Sequence, residues 1–571
     1  MPRSLVALLV ICVSLLAYND TQVSELSRSS YWHTLLHIRT NSQSDIADPK
    51  FFLSKPFSPE AELVTTLSEL EGNNRDDMLC RFPARYKYLN EQLALNLTFT
   101  HCENLQLFLK DSRGESASVG FASPYLDSPM SFFGHTFIKI DKLDNIYFSQ
   151  TFSFAAEVSK DDGFFTLARK GIGGGYTGKF VASPYFKLNE GYTMIEQRSL
   201  TEYRLNLSEE EIERMLWHFY EIYDMDVDYL FITENCSYEL LWLLESARPG
   251  LNLRNEFTSY SIPYETINAM KRRGLVTKIT TEPSVVERLQ RTYFEMNGEE
   301  HGYFKTLKES TDKPATLASL AITEEQRSVL AYQLNGYYDM LFKRYNTVKA
   351  DFKTVKKMPY IPPKERYEGE PKRSDNSKIE LGYLHTDDSV GTAFRFAPIL
   401  LNRTDDRNSN LTESTLEVLS FDVNYVDHKA RLENIELFTV ESLSKKFDFY
   451  SQPSWKIRLG ADRRLEDKKL HDVLQLGLGM AYGTPDTIVY FLAQTSLYPS
   501  QLNAGLDFLT GVGWWIENVH IGVDFDIPLA YTEKEAKYSF EGYLLLPLLK
   551  DIDIKAILRK ESYGFNLLYR F

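Results

Sequence analysis

The chain closes on Phe565-Asn566-Leu567-Leu568-Tyr569-Arg570-Phe571, which places Phe565, Leu567, Tyr569 and Phe571 on one face and Asn566 and Arg570 on the other. Side chains alternate across a strand with period two, so this spelling predicts a strand that is apolar on one side. The same spelling recurs upstream. Leu474, Leu476, Leu478, Met480 and Tyr482 alternate with Gln475, Gly477, Gly479 and Ala481, and Ile521, Val523, Phe525 and Ile527 with Gly522, Asp524 and Asp526. Trp455, Ile457 and Leu459 alternate with Lys456, Arg458 and Gly460, and Ile552 and Ile554 with Asp553 and Lys555. Residues 378–571 hold about twelve such segments, each near the ~10 residues that a tilted strand needs to cross an outer membrane. The expectation is a C-terminal antiparallel β-barrel of about twelve strands. A soluble sandwich or barrel also alternates, but alternation held to the last residue, with Tyr and Trp at strand ends as interfacial girdles, favours the membrane barrel.

Before this region the pattern changes. Met358 to Ser377 is Pro-rich and charged without periodicity and reads as a linker. Residues 281–357 read as helical, with a capping box at Thr323-Glu324-Glu325-Gln326 and with Leu330, Leu334 and Tyr338 on one face. Residues 19–104 read as an N-terminal helical domain in which Ser58 caps a helix from Pro59. The stretch Cys80 to Tyr86 reads as a loop packed on the next domain. Residues 105–280 mix strand and helix signals: Leu105 to Leu109, Ser118 to Pro124, His135 to Ile140 and Asn145 to Phe152 as strands, and Ser208-Glu209-Glu210-Glu211 as a capping box opening a helix. Gly171 to Gly178 is glycine-rich but lacks the Lys-Ser/Thr ending of a phosphate loop, so it reads as a flexible loop bordering a cleft.

Length and charge narrow the function. At 571 residues the chain exceeds one ordinary core and predicts a multidomain protein. A net charge of −15 argues against sequence-independent nucleic-acid binding, and no nucleic-acid partner is expected. Arg3 followed by the apolar run Leu5–Ala17 reads as an export signal over residues 1–18, too short to span a bilayer comfortably. Cys12 belongs to that run. Cys80, Cys102 and Cys236 then remain, an odd number in an oxidising compartment. Cys80 and Cys102, close in sequence, are the pair expected to form a disulfide, which leaves Cys236 free.

Cys236 opens the apolar run Cys236-Ser237-Tyr238-Glu239-Leu240-Leu241-Trp242-Leu243-Leu244, and a thiol at a helix start gains from the positive end of the dipole. His135, in Ser131-Phe132-Phe133-Gly134-His135-Thr136-Phe137, leads a strand-like run. It is the leading candidate for a base, with His218 as the fallback. A cysteine and a histidine so placed are the minimal parts of a thiol acyl-transfer site. Orienting candidates for His135 are Ser149, Gln150 and Thr151, with Gln150 preferred; Asp141 and Asp144 stay open. There is no His-Glu-x-x-His, no Cys-x-x-Cys and no Gly-x-Ser-x-Gly, and His33/His37 lack a third ligand nearby, so neither a metal nor another cofactor is expected.

On Ser131-Phe132-Phe133-Gly134-His135, Gly174-Gly175-Tyr176-Thr177-Gly178, Glu202-Tyr203 and Asn235-Cys236-Ser237-Tyr238 the chain resembles the family named for the N-terminal periplasmic domain of Lnb, a bacterial lipoprotein N-acyltransferase. The resemblance implies a circularly permuted papain-like α+β domain, as in the NlpC-type and lecithin–retinol acyltransferase-like groups, with a Cys–His site and histidine before cysteine. It does not fix a substrate. A lipoprotein, a lipid or a cell-wall amide each fits, with outer-membrane lipid as the barrel's surroundings and the soluble domain in the periplasm. The alternative is a non-enzymatic outer-membrane protein whose papain-like domain is a scaffold or partner-binding module.

Overall fold

The computed structural model describes residues 20–39, 43–95, 102–124, 132–142, 148–159, 161–258, 260–362, 366–371, 377–386, 389–403 and 413–571. The expected export signal and Asp144 lie outside the described residues. The chain forms two compact units. One runs to Ser284 and takes back a short return ending at Gly369; the other holds the chain from Val285 and everything from Glu370 to Phe571.

The first unit is built on an eight-stranded sheet: β1 (Ser116–Ala122), β2 (His135–Asp141), β3 (Gln150–Ala156), β4 (Tyr176–Pro184), β5 (Leu200–Leu205), β6 (Val227–Tyr229), β7 (Val276–Glu282) and β8 (Tyr367–Glu368). Its order is β6-β4-β3-β2-β1-β5-β7-β8 and every neighbouring pair is antiparallel. The helix Cys236–Ala247 packs on β2 and β3, and the helix Glu209–Ile222 packs beside it. On the other face Phe137 and Leu200 pack with Tyr185, from the segment Tyr185–Glu190 that continues into Gly191–Ile195. With both faces covered, β1 is buried at all seven positions and the Cys236–Ala247 helix at all twelve. Burying side chains such as Leu240, Leu241, Leu243 and Leu244 contributes roughly 1.5–3 kcal/mol each. Ser208 accepts from the Glu211 N–H while Glu211 accepts from the Ser208 N–H, so the expected capping box sets that helix start; Ser58 caps Pro59–Glu71 in the same way, without the reciprocal bond.

Several local expectations give way. Leu105 to Leu109 is helical, within Glu103–Ser112. Leu105 and Leu109 are buried and Leu107 is exposed, the spacing of a helix face, which five residues are too few to separate from strand alternation. Cys80 to Tyr86 is not a loop but the junction of the helices Arg75–Arg81 and Pro83–Leu93, with Pro83 at the first helical position, where its missing N–H costs nothing. Gly171 and Gly173 lie in the helix Phe164–Gly173 and Gly178 in β4, so only Gly174 and Gly175, both at positive φ, make the connection. The linker contains β8, which pairs Thr280 with Glu368 and Thr281 with Tyr367. Residues from the 19–104 and 105–280 segments share one hydrophobic core within a single compact unit.

In the second unit the helix Glu324–Tyr345, opened by the expected Thr323 capping box, packs on Val285–Glu295 and Gly298–Glu309. A Cβ at Gly336 would meet Leu289 Cδ2 at 2.5 Å, which explains the glycine there. Tyr293 donates to Asp448 at 2.9 Å and packs on Phe449, which joins these helices to the barrel connection after Lys429–Leu443. The remainder is a closed antiparallel barrel of twelve strands. Consecutive strands pair from Lys378–Thr386 onward, and the last, Ser562–Arg570, pairs back with the first. Phe565, Leu567 and Tyr569 face outward and are about half exposed, as are Leu476, Leu478 and Met480. Charge faces inward: Arg458 is buried and bonds Glu436 at 2.8 Å and Asp462 at 2.6 Å. An apolar exterior around a charged interior is the inverse of a soluble protein and is the signature of an outer-membrane barrel.

Candidate active site

Gly134 sets the entry to β2. Its φ is +90°, and a Cβ there would come within 2.6 Å of the Phe121 ring, so only glycine delivers the chain into His135 at this angle. His135 pairs with Ala122 on β1, and its ring lies 6.0 Å from that of Tyr192. Across the sheet, Asn235 caps the Cys236–Ala247 helix, its side-chain oxygen accepting from the N–H groups of Ser237 (3.0 Å) and Tyr238 (3.3 Å). Asn235 is itself fixed by donating to Phe231 O and Ser261 O. The first helical residue is therefore Cys236, a free and buried thiol.

Two groups bind the neighbourhood together. Arg198, 2% exposed, donates to Ser123 O at 2.6 Å, Ala122 O at 3.1 Å and Glu196 at 2.8 Å, and lies over the Tyr192 ring at 4.7 Å. Its charge acts on both His135 and Cys236. Tyr192 packs on His135, and its hydroxyl feels the Cys236 sulfur. Tyr229, on β6, sits at the Cys236 backbone N–H. His135 and Cys236, 101 residues apart in sequence, thus share Arg198 and Tyr192 as neighbours, with Tyr229 at the cysteine alone. Sequence reading missed these three, because none stands in a recognisable spacing to the cysteine.

The electrostatics differ from the expected ion pair. Burial pushes the Cys236 thiol up, against the Thr136 and Ser237 donors and Arg198, which pull it down. Burial, then Arg198, holds His135 down at about 3. Desolvation outweighs the helix terminus here, and both groups are neutral at pH 7. Among the described residues no hydrogen bond joins His135 to Cys236. Neighbours on a strand face opposite sides, and it is Thr136 that turns to the sulfur.

The proposed orienting groups are misplaced. Gln150 pairs with Ile140, five residues along β2 from His135, roughly 16 Å at strand rise. Asp141 is at that same far end, bound to Lys139, and Thr151 donates to Ser183 O. Ser149 accepts from the Lys142 N–H. The fallback base His218 is also elsewhere: its Nε2 lies 3.0 Å from His37 Nε2 in a fully buried chain that runs on through Glu221 and Arg85 to Glu62. Cys80 and Cys102 are joined as a disulfide across 22 residues.

With this geometry in view, the comparisons are specific. Residues 105–273 match the model of the Lnb N-terminal periplasmic domain. Both Cys236 and His135 fall inside that match. Residues 24–92 match a domain of unknown function, DUF7843, and residues 370–542 another, DUF7840. No match emerges among curated proteins. Among solved structures the chain is similar to a KdgM porin at 13% identity and TM-score 0.23, covering 34% of this chain and 99% of that one. It is also similar to a mutant porin of Rh. blastica at 6% identity and TM-score 0.16, covering 35% of this chain and all of that one. The barrel assignment rests on the closed sheet and its inverted polarity. The protein is an outer-membrane protein with a periplasmic domain.

Proposed function

We propose that the soluble unit is a thiol acyl-transfer or hydrolase domain, held at the outer membrane by its own barrel and working on the periplasmic side. The observation that carries the reading is a free cysteine at a helix start that shares Arg198 and Tyr192 as neighbours with a strand histidine, inside the segment that matches the Lnb domain. Cys236 attacks an acyl or amide carbonyl, and His135 takes its proton and returns it to the leaving group. The S–H and carbonyl–leaving-group bonds break, and a thioester forms on Cys236. Both groups are neutral at rest, so the thiol gives up its proton to His135 only as substrate binds. The papain-like description rests on the family resemblance, and the substrates in view remain a lipoprotein, a lipid or a cell-wall amide.

The test is capture of the acyl-enzyme. Full-length protein in detergent, offered a diacyl phospholipid, an acylated peptide or a muropeptide, should yield a hydroxylamine-labile adduct on the Cys236 peptide by mass spectrometry. Cys236→Ala should lack the adduct, and His135→Ala should accumulate it far more slowly. Turnover unchanged in Cys236→Ala would refute the reading. The burial of the thiol and its missing bond to His135 favour a second reading, a non-enzymatic partner-binding module; absence of any adduct with all three substrates would support it.

A further inference from the structure

Strand number alone does not decide what the barrel interior holds. About eight strands leave just enough room for side chains, and about sixteen leave an aqueous channel; this barrel has twelve. Its inward-facing side chains decide the matter. At the end remote from Lys378, where the chain enters the barrel, two loops pair across the mouth. Leu465, between the strands Ser454–Asp462 and His471–Tyr482, bridges to Ala536, between Val519–Tyr531 and Ser539–Leu549. The Glu466 N–H donates to Glu535 O and the Lys537 N–H to Arg464 O, both at 3.1 Å. Three strands stand between Ser454–Asp462 and Val519–Tyr531 in the sheet order, so these bonds cross the opening. Leu465 is buried there with Val473 and Tyr498, and Arg464 pairs with Asp507 (3.3 Å) and Asp526 (2.9 Å). Toward the other end Arg403, just past Ile399–Leu401, reaches over to Asp524 on Val519–Tyr531, a carboxylate that also accepts from Tyr490 at 2.6 Å. Between the ends one hydrogen-bonded network runs over six consecutive strands. Arg458 joins Glu436 and Asp462 and donates to Gln475 at 3.2 Å; Gln475 donates to Ser496 at 3.0 Å; Ser496 donates to Asp507, which accepts from Tyr531 at 2.8 Å. Ser496 and Asp507 are each 0% exposed, whereas the interior of a porin is filled with water. Leu443, Leu492 and Leu509 share a further buried cluster, and an apolar stretch in a pore excludes ions by shedding water.

We propose that the barrel is a sealed membrane anchor. Its lumen is a packed core, held shut by the Leu465–Ala536 bridge at one mouth and by the Arg403–Asp524 pair toward the other, and it passes neither ions nor small solutes. A solute on its way through would have to part ion pairs that tie neighbouring strands together and would leave each buried charge without its partner, which is strongly unfavourable. The soluble unit therefore receives its substrate from the periplasm or the membrane and not through the barrel, and the outer membrane keeps its permeability barrier. None of this depends on the chemistry at Cys236.

The experiment uses the full-length protein, with its folded state checked by heat-modifiable gel migration. Reconstituted into a planar lipid bilayer, the wild type should add no stepwise conductance to that of bare lipid, and vesicles that carry it should swell in an isotonic sugar no faster than empty ones. Accessibility is read separately, in detergent, with a charged methanethiosulfonate reagent. Leu502, in the turn after Thr487–Tyr498, is 88% exposed, whereas Ser496 lies on the inward face of that strand. Labelling is followed peptide by peptide by mass spectrometry, so that Cys236 is counted apart. Leu502→Cys should label about a hundredfold faster than Ser496→Cys, because a buried thiol reacts only through rare openings. Heating in dodecyl sulfate should make the two rates equal. Should Ser496→Cys lose the folded band, Leu492→Cys on the same inward face takes its place. Stepwise conductance from the folded wild type would overturn the proposal, and so would labelling of Ser496→Cys within about tenfold of Leu502→Cys. A silent bilayer together with a protected Ser496→Cys supports it.

Discussion

Strand β2 and the last barrel strand, Ser562–Arg570, are built from the same two-residue period and bury opposite things. In β2 five consecutive residues, Thr136 to Ile140, are buried, because helices cover one face and the Tyr185–Ile195 segment the other. In the last strand exposure alternates without a break from Tyr563 to Arg570, and the exposed positions are Tyr563, Phe565, Leu567 and Tyr569. The buried ones include Asn566, which donates to Glu380, and Arg570, which pairs with Asp553. Period identifies a strand; only the chemistry of each face identifies its solvent. The first unit closes its buried charges into chains such as Glu62–Arg85–Glu221, whereas the barrel turns pairs such as Arg458–Glu436 and Arg464–Asp507 inward.

That contrast can be broken at defined points. The largest effect should come from Arg85→Met, which leaves Glu62 and Glu221 buried without their cation and should cost the first unit about 3–5 kcal/mol. Denaturant melting of that unit should show it, while heat-modifiable gel migration of the barrel stays normal; loss of both would mean the two units are not energetically separate. On the barrel side Leu567→Arg puts a charge on the lipid face and should cost about 2–4 kcal/mol, read as loss of the heat-modifiable form. Reduction of Cys80–Cys102 frees a 22-residue separation and should cost the first unit on the order of 3 kcal/mol, with no change in the barrel.

The smallest effect is a pH dependence confined to the soluble unit. His135 takes a proton near 6.5 when unfolded but only at about 3 when folded. The unfolded chain therefore binds more protons between those values, and stability present above about 6.5 is lost as pH falls toward about 3. Thermal melts of the unit should decline across that window, and His135→Gln should flatten the slope. An unchanged slope in the variant would assign the acid sensitivity to other groups, of which His37, buried and also held low, is the first to test.

The barrel was legible because its signal is repeated: Leu474 to Tyr482 and Ile521 to Ile527 each announce an outward face, and closure needs only an even meander. Cys236 and His135 stood out in the sequence as candidates, each as a single residue in a short motif. Their surroundings did not. Arg198 reaches the site through a bend between Ile195 and β5, a feature of tertiary register that leaves no local trace. Gln150 failed for the same reason: adjacency of two strands in sequence says nothing about which ends meet. Desolvation also escaped the sequence, since a helix start predicts a lowered thiol only when water remains nearby.

The short strand β8 carries one more consequence, in the order of events during synthesis and export. The sheet of the first unit is laid down by residue 282 except for this edge, which arrives only after the helices from Val285 to Val355 have emerged. Arg366, just before β8, then joins Glu282 and Tyr185. A chain delivered from its N-terminus therefore holds β7 as an open edge for some eighty residues of further delivery. The soluble unit is sealed by the last segment to pass before the barrel begins.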